Sequence, residues 1–221
     1  TPITDGATSA EPVIAWLATQ PTDRPMFLMV HNRTAHFPFV YKKPSEADDP
    51  TGIKTLLWNT PGLREDDNDG KPGMAGGTSE TGVAPLARED PLVAALRTGG
   101  APAERAWRSA YAEAVTWADR DIAAVMSALE RRGRLDRTVL VLVADHGESL
   151  WEHGEMIHGI SFYEGVVRVP LLVSIPGVSG PDQHGALVSH VDLMPTILES
   201  VGAMPPAGID GSSLLPVLRG E

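Results

Sequence analysis

Apolar residues along the chain fall into continuous runs and periodic stretches that predict a small set of helices and strands. From Ala103 to about Arg132 they recur at steps of three and four, which predicts one long helix with a single apolar face. The continuous runs at 26–30, 138–144 and 169–175 predict strands buried on both faces. Two-sided strands that alternate with helices indicate an α/β domain with a mainly parallel sheet flanked by helices.

Shorter helices are predicted toward both ends of the chain. The stretch T-S-A-E at 8–11 offers a capping box for a helix whose apolar face includes Val13 and Leu17. Asp192 can cap a helix that continues through Ser200. A last short helix is predicted within "GSSLLPVLRGE".

Residues 41–105 differ from the rest of the chain in composition. They are rich in Pro, Gly and acidic residues, with only short apolar words such as "TLLW" between them. This composition predicts a long, partly mobile polar insertion on the surface of a single domain that spans 1–221. Such a segment carries specificity on a rigid scaffold or serves as a solvated spacer.

Charge and composition exclude several classes of function. The 221 residues carry a formal net charge of -11, whereas a nucleic-acid partner requires a basic surface. No apolar run approaches the length of a transmembrane helix, so no membrane segment is predicted. The chain has no Cys, which removes disulfides, thiolate metal ligands and Cys nucleophiles together.

Reactive residues follow two of the predicted strands. His31 and His36 follow the first, and Asp145 and His146 follow the strand at 138–144. Functional groups in open α/β sheets collect where strands end, and an adjacent Asp and His can both bind one cation. The alternative at this point is a capping Asp beside a surface His.

Several motifs in a fixed order resemble the later half of the sulfatase family, within the alkaline-phosphatase-like superfamily. The segment "PMFLMVHNRTAHFPF" is similar to that family's strand followed by H-x-P-aromatic. The segment "VDLMPT" and the ending "GIDGSSLLPVL" are similar to its later helix and terminus. The remaining matches are Tyr111 and Asp119 on the long helix, D-H-G-E at 145–148, E-H-G-E at 152–155, H-G-I-S-F-Y-E at 158–164 and R-V-P-L at 168–171.

The resemblance implies roles for four residues. Asp145 and His146 would be two ligands of a divalent metal cation: calcium or manganese, with zinc or magnesium as alternatives. His36 would contact a sulfate oxygen or help protonate the leaving alkoxide. His158 stands where other members place a sulfate-binding Lys or His. The substrate would be a small-molecule or glycan sulfate ester.

The resemblance also predicts how these residues are arranged. We expect the four side chains to converge at one edge of the sheet, within about 10 to 12 Å of one another, the scale of a single small-molecule site. Glu148 either orients an imidazole of the site through a hydrogen bond or is a solvated carboxylate on the surface. His190 is expected to be incidental.

Two parts of the family's catalytic site have no match in this sequence. There is no C/S-x-P/A-x-R motif for the formylglycine nucleophile, and no early pair of metal-binding Asp residues after a strand. We therefore expect a sulfatase fragment with an incomplete alkaline-phosphatase-like fold and half of a metal site, inactive by itself. The alternatives are a phosphoryl-transfer relative (a phosphonate or phosphodiester hydrolase, or a phosphoethanolamine transferase-like protein with zinc and a Thr nucleophile) and a non-catalytic domain that binds an anion or a partner protein.

Overall fold

The computed structural model describes two compact units of the chain. The described residues are 4–7, 10–37, 39, 47, 49–59, 91–156, 158–159, 161–179 and 183–221. The first unit comprises Thr1–Arg132 and Glu148–Ser161, and the second comprises Gly133–Gly147 and Phe162–Glu221.

A 32-residue helix, α4 (Gly100–Arg131), organises the first unit. It contacts three shorter helices: α1 (Glu11–Thr19), α2 (Ile53–Asn59) and α3 (Pro91–Thr98). Its buried residues follow the predicted steps of three and four, because only one face of α4 packs against the core. The long helix predicted from the sequence is therefore confirmed, with its start three residues earlier than expected.

The core of the first unit is an aromatic cluster on α4. Its fully buried members come from α2, α3, α4 and the segment before α2: Phe37, Phe39, Ile53, Leu96, Ala103, Trp107, Ala110 and Ala114. Ile53 and Leu96 lie inside the segment 41–105, so the expectation that this whole segment is a surface insertion is wrong for α2 and α3. A composition rich in Pro and Gly does not reveal that a few apolar residues are buried by packing. Residues 60–90, the most polar part of that segment, lie outside the described residues.

Asp121 of α4 fixes the start of α1 and the end of a strand. One carboxylate oxygen accepts the N–H of Ala10 at 3.3 Å, and the other accepts the side-chain amide of Asn32 at 3.2 Å. Ala10 is the N-cap of α1 and makes no side-chain cap itself, while the predicted capping residue Thr8 lies outside the described residues. Val13 and Leu17 are buried, as the apolar spacing predicted.

The strand predicted at 26–30 is wrong in its position. The observed strand is β2 (Val30–Asn32), which pairs in parallel with β1 (Thr4–Ala7) through Thr4↔Val30 and Ala7↔Asn32. Phe27 and Met29 are more than half exposed. An apolar run predicts two-sided burial only where both faces are covered, and among the described residues of this unit β1 is the one strand beside β2.

The second unit contains an antiparallel strand pair, β3 (Leu140–Val143) with β4 (Leu171–Ser174). Its register runs from Leu140↔Ser174 to Val143↔Leu171. We expected the first strand to be parallel to its neighbours and buried on both faces, and this is wrong for the described pair, in which Leu142 and Leu172 are exposed. A parallel crossover requires a long connection, usually a helix. The one α-helix described between these strands, α5 (Glu164–Val167), has four residues.

The end of the second unit is formed by α6 (Leu193–Ser200) and α7 (Leu215–Arg219). Asp192 precedes α6 but makes no side-chain cap on that helix, so the cap predicted at Asp192 is wrong. Its carboxylate instead accepts the N–H of Ser189, in the capping box of the short 3₁₀ turn His190–Asp192, and the N–H of Ser212, each at 2.9 Å. Thr196 donates to the carbonyl of Asp192 and accepts the N–H of Leu214, which fixes the start of α7. Among the described residues, no helix is long and apolar enough to cross a membrane.

Candidate active site

His36 is held in place by the aromatic cluster of the first unit. The next residue, Phe37, packs against Trp107 of α4 with ring centroids 5.6 Å apart, and Phe39 lies 5.1 Å from the same indole. His36 Nδ1 donates to the carbonyl oxygen of Phe37 at 2.7 Å. Because a carbonyl oxygen can only accept, Nδ1 carries the proton and Nε2 carries the lone pair of the neutral ring.

Burial favours the neutral form of His36. Desolvation lowers the pKa of His36 below its usual 6.5, and the charges of Arg33 and His158 act in the same direction. The hydrogen bond to Phe37 and the charge of Glu148 oppose this shift without reversing it. At pH 7 the imidazole is therefore neutral, with Nε2 as an acceptor.

His158 lies against His36 and against a buried carboxylate. The two imidazoles meet edge to face, with centroids 5.2 Å apart and planes at 71°. His158 Nδ1 lies 3.2 Å from Oε2 and 3.3 Å from Oε1 of Glu148, whose side chain is 4% exposed. Nδ1–H thus donates to Glu148, and Nε2 is the nitrogen on the opposite side of the ring. Of the two interpretations of Glu148, the solvated carboxylate is wrong, because this side chain is buried behind an imidazole.

Tyr111 adds a phenol that is influenced by the charge of Glu148. It lies on α4 one turn after Trp107, with its ring 5.3 Å from that of Phe39. Burial and, second, the negative charge of Glu148 raise the pKa of Tyr111 above 10.0. The phenol therefore stays protonated at neutral pH and remains a hydrogen-bond donor near Glu148.

Asp145 and His146 lie directly after β3 in the second unit. His146 Nδ1 donates to the carbonyl of Gly147 at 2.8 Å, and His146 Nε2 lies 3.8 Å from Asp145 Oδ2. The N–H of Gly147 donates to Val166 at 2.7 Å, which anchors this segment to α5. The local chain path therefore turns the carboxylate and Nε2 of the imidazole toward each other.

The pair of Asp145 and His146 fits a shared cation as two of its ligands. Ligand atoms at about 2.0–2.6 Å from one ion lie up to about 4–5 Å apart, so the separation of 3.8 Å leaves room for a divalent cation. Among the residues that the structure describes, no group of three or more His, Asp or Glu side chains is arranged around a common ion site. That Asp145 and His146 form half of a metal site stays a prediction.

His190 has a more specific contact than we expected. Its Nε2 donates to the carbonyl of Ala144 at 2.8 Å, next to Asp145 in the sequence. The contact links the residues before α6 to the end of β3 within the second unit. The spacing of 46 residues gives no local pattern that the sequence analysis could have used.

The structure thus brings together two pairs of predicted site residues. His36 contacts His158 in the first unit, and Asp145 contacts His146 in the second. The convergence of all four side chains at one site stays a prediction.

A family model described as Sulfatase matches residues 5–203. Arylsulfatase K of Xenopus laevis is 40% identical over 111 residues, which are 50% of this chain and 20% of that protein. The extracellular sulfatase SULF-1 homolog of Drosophila melanogaster is 41% identical over 95 residues, 42% of this chain and 8% of the relative.

Solved structures of sulfatases and related hydrolases have a similar fold. Phosphonate monoester hydrolase of Agrobacterium radiobacter superimposes with a TM-score of 0.66 at 23% identity, covering 96% of this chain and 41% of that one. A protein in complex with its substrate, D-glucosamine-2-N,6-O-disulfate, superimposes with a TM-score of 0.61 at 22% identity, covering 96% and 51%. At these identities the likeness shows the alkaline-phosphatase-like fold alone. The chain spans about half the length of these structures or less, and about a fifth of arylsulfatase K. The family model, in contrast, covers most of the chain, and this protein belongs to the sulfatase family.

Proposed function

We propose that the full-length protein hydrolyses sulfuric esters and that this chain supplies its sulfate-contacting histidines and half of its divalent-metal site. The observation that carries the proposal is the contact of His36 with His158 on top of the buried Glu148. Nδ1 of each imidazole is bonded within the chain, and we therefore assign Nε2 of each ring to the contact with an oxygen of the sulfate group.

His158 is the proposed sulfate-binding cation. Glu148 accepts its Nδ1–H and fixes the ring, as carboxylates do for imidazoles in many active sites. In its protonated form the ring donates Nε2–H to a sulfate oxygen, a charge-assisted hydrogen bond that strengthens as negative charge develops on the transferring group.

His36 is the proposed proton donor to the leaving alkoxide, or a second sulfate contact. In the ligand-free protein it is neutral, because burial lowers its pKa. A bound sulfate monoester brings a negative charge next to the ring, which favours the protonated imidazole. Substrate binding would thus convert Nε2 of His36 from an acceptor into a donor.

Asp145 and His146 are the proposed ligands of the cation, for which calcium and manganese are preferred over zinc and magnesium. A bound cation supplies charge stabilisation to the sulfate oxygens. Asp145 and His146 would hold the cation. The carbonyl of Gly147 fixes the tautomer of His146, so that Nε2 is the ligand nitrogen. The sequence contains no Cys and no C/S-x-P/A-x-R motif, so we propose no nucleophile from this chain and expect no turnover from these 221 residues alone.

The proposed substrate is a small-molecule or glycan sulfate ester. A solved relative of the same fold binds a disulfated glucosamine. A phosphonate monoester is the second candidate. The His that follows Asp145 resembles the branch of the family that includes phosphonate monoester hydrolases, and a phosphonate monoester hydrolase has the same fold. Both esters are anions that the same histidines would contact.

The test measures turnover of 4-nitrophenyl sulfate and of 4-nitrophenyl phenylphosphonate by the full-length protein loaded with calcium or manganese. We expect sulfate turnover to fall at least about a hundredfold in His36→Ala, the usual contribution of a positioned proton donor. A similar fall is expected in His158→Ala, the usual contribution of a positioned electrostatic contact, and turnover should vanish in Asp145→Ala. His184→Ala is the matched control, since His184 is exposed and belongs to neither pair. Turnover that persists in Asp145→Ala would contradict the proposal. A preference for the phosphonate would select the second candidate.

A further inference from the structure

The segment between Glu148 and His158 folds back on itself and forms what we call the clasp loop (residues 148–156 and 158). Leu150 and Met156 form an antiparallel bridge, and the N–H of Trp151 donates to Glu155 at 3.0 Å. The two ends of the loop are the hydrogen-bonded Glu148 and His158. The path of the loop therefore connects directly to both the carboxylate and the imidazole.

The clasp loop has a strained backbone. Trp151 and His153 both adopt left-handed conformations, with φ of 79° and 61°. This region is unfavourable for residues with a Cβ atom, and a bulky aromatic residue there is a genuine outlier. Such conformations persist only where surrounding contacts determine them.

An ion pair with α4 holds the strained part of the loop. Arg108 Nη1 donates to Glu152 Oε1 at 2.7 Å, while Glu152 Oε2 accepts the N–H of Leu150 at 2.7 Å. Arg108 Nε also bonds Glu104 at 3.1 Å, which fixes the guanidinium on the surface of α4. The hydrogen bond to Glu152 raises the pKa of Arg108. Burial raises the pKa of Glu152, but the bond from Arg108, the backbone N–H groups of Glu152 and Leu150 and the charge of Arg108 together outweigh it, so that this pKa is lowered.

Apolar contacts hold the base of the loop independently of the ion pair. Leu150, Trp151 and Met156 pack against the aromatic core, where Trp107 is fully buried. Packing therefore anchors the clasp loop at Leu150, Trp151 and Met156. The ion pair with Arg108 of α4 anchors it at Glu152.

We infer that Arg108 and Glu152 are positioning residues: their ion pair fixes the clasp loop in its strained path and thereby sets the position of His158. The inference rests on the proposed function for the role of His158. Among the described contacts, Arg108 and Glu152 bond Glu104, each other and Leu150, so their proposed action on His158 passes through the loop.

The test compares this ion pair with a matched one on the same helix. Lys54 Nζ lies 2.8 Å from Glu113 Oε2, also on α4, and contacts no residue of the clasp loop among the described contacts. The variants Arg108→Met, Glu152→Gln and their combination are compared with Lys54→Met and Glu113→Gln in the full-length protein. Amide hydrogen exchange at Leu150 and Trp151 reports the loop, and kcat/KM for 4-nitrophenyl sulfate reports His158.

We expect faster exchange at Leu150 and Trp151 in Arg108→Met, with kcat/KM lower by about two- to fivefold, since exposed ion pairs have modest coupling energies. The double variant should be no worse than the worse single variant, and Arg108→Lys, which keeps a charged donor, should recover most of the loss. The Lys54 and Glu113 variants should leave exchange in the loop and kcat/KM unchanged.

Two results would overturn the inference: unchanged exchange in Arg108→Met, or an equal loss of kcat/KM in Lys54→Met, which would indicate a general loss of stability. If the unmodified protein hydrolyses no sulfate ester, the proposed function fails. The exchange rates then decide by themselves whether the ion pair fixes the loop.

Discussion

Replacement of Trp107 tests whether the aromatic cluster supports the histidine site. Its indole is completely buried and packs against Phe37 and Phe39, so Trp107→Ala should lower the free energy of unfolding by about 3–5 kcal/mol. Trp107→Phe should cost far less. The lost area is worth about 1 kcal/mol. That loss is offset because the buried indole N–H has no acceptor among the described residues, and removing such an unsatisfied donor returns about 1–3 kcal/mol.

The measurement is urea unfolding followed by far-UV circular dichroism, since the chain has 5 Trp residues and fluorescence would mix their signals. Trp117 of the same helix is the control. Its ring is partly exposed beneath Arg120 at 4.5 Å, and Trp117→Ala should cost less than about 1 kcal/mol. Equal costs for Trp107→Phe and Trp107→Ala would refute the account of the unsatisfied donor. A cost below about 1 kcal/mol for Trp107→Ala would refute the cluster as the core of this unit.

Two further predictions concern His36 in the first unit and Gly147 in the second. The pKa of His36 is below 6.5 in the folded protein, so the unfolded chain binds the proton first as the pH falls. The contribution of the neutral ring to the free energy of unfolding is therefore present above pH 6.5. It is lost as the pH falls through the folded pKa. His36→Gln should therefore flatten the dependence of the unfolding free energy on pH over that window, and an unchanged slope would contradict the burial of the ring. A Cβ at Gly147 would lie 2.1 Å from the carbonyl oxygen of Gly165, so Gly147→Ala should displace the segment that carries Asp145 and His146. We expect a lower melting temperature and a lower affinity for calcium or manganese, both measured by calorimetry. Gly185→Ala, with no atom within 4 Å of the added Cβ, should change neither quantity.

The long helix could be predicted from the sequence because its signal is local. The apolar spacing on α4 depends on residues within a few positions of one another. The cap at Asp192 could not be predicted, because its carboxylate accepts the N–H groups of Ser189 and Ser212 instead of capping α6. The strand partners could not be predicted in the same way. The apolar runs before His31 and Asp145 are consistent with either strand direction, and the antiparallel register of β3 and β4 depends on contacts between residues far apart in the sequence.

The sequence predicted which residues belong to the candidate site, but it did not predict the contacts between them. The order of the motifs pointed to His36 and His158, whereas their mutual contact depends on a separation of more than a hundred residues. The burial of Glu148 was one of two interpretations that the sequence could not separate. The ion pair of Arg108 with Glu152 had no sequence signal, because a surface Arg on a helix and a Glu in a loop are each unremarkable.

Three backbone carbonyls decide which nitrogen of three imidazoles carries the proton. Phe37 and Gly147 accept from Nδ1 of His36 and His146, and Ala144 accepts from Nε2 of His190. Every amino acid that replaces Phe37, Gly147 or Ala144 still has a carbonyl oxygen at that position. A mutational scan would therefore attribute little of this control to those positions, although they set the tautomers; amide-to-ester replacement or long-range ¹H–¹⁵N spectra of the imidazoles would reveal it directly.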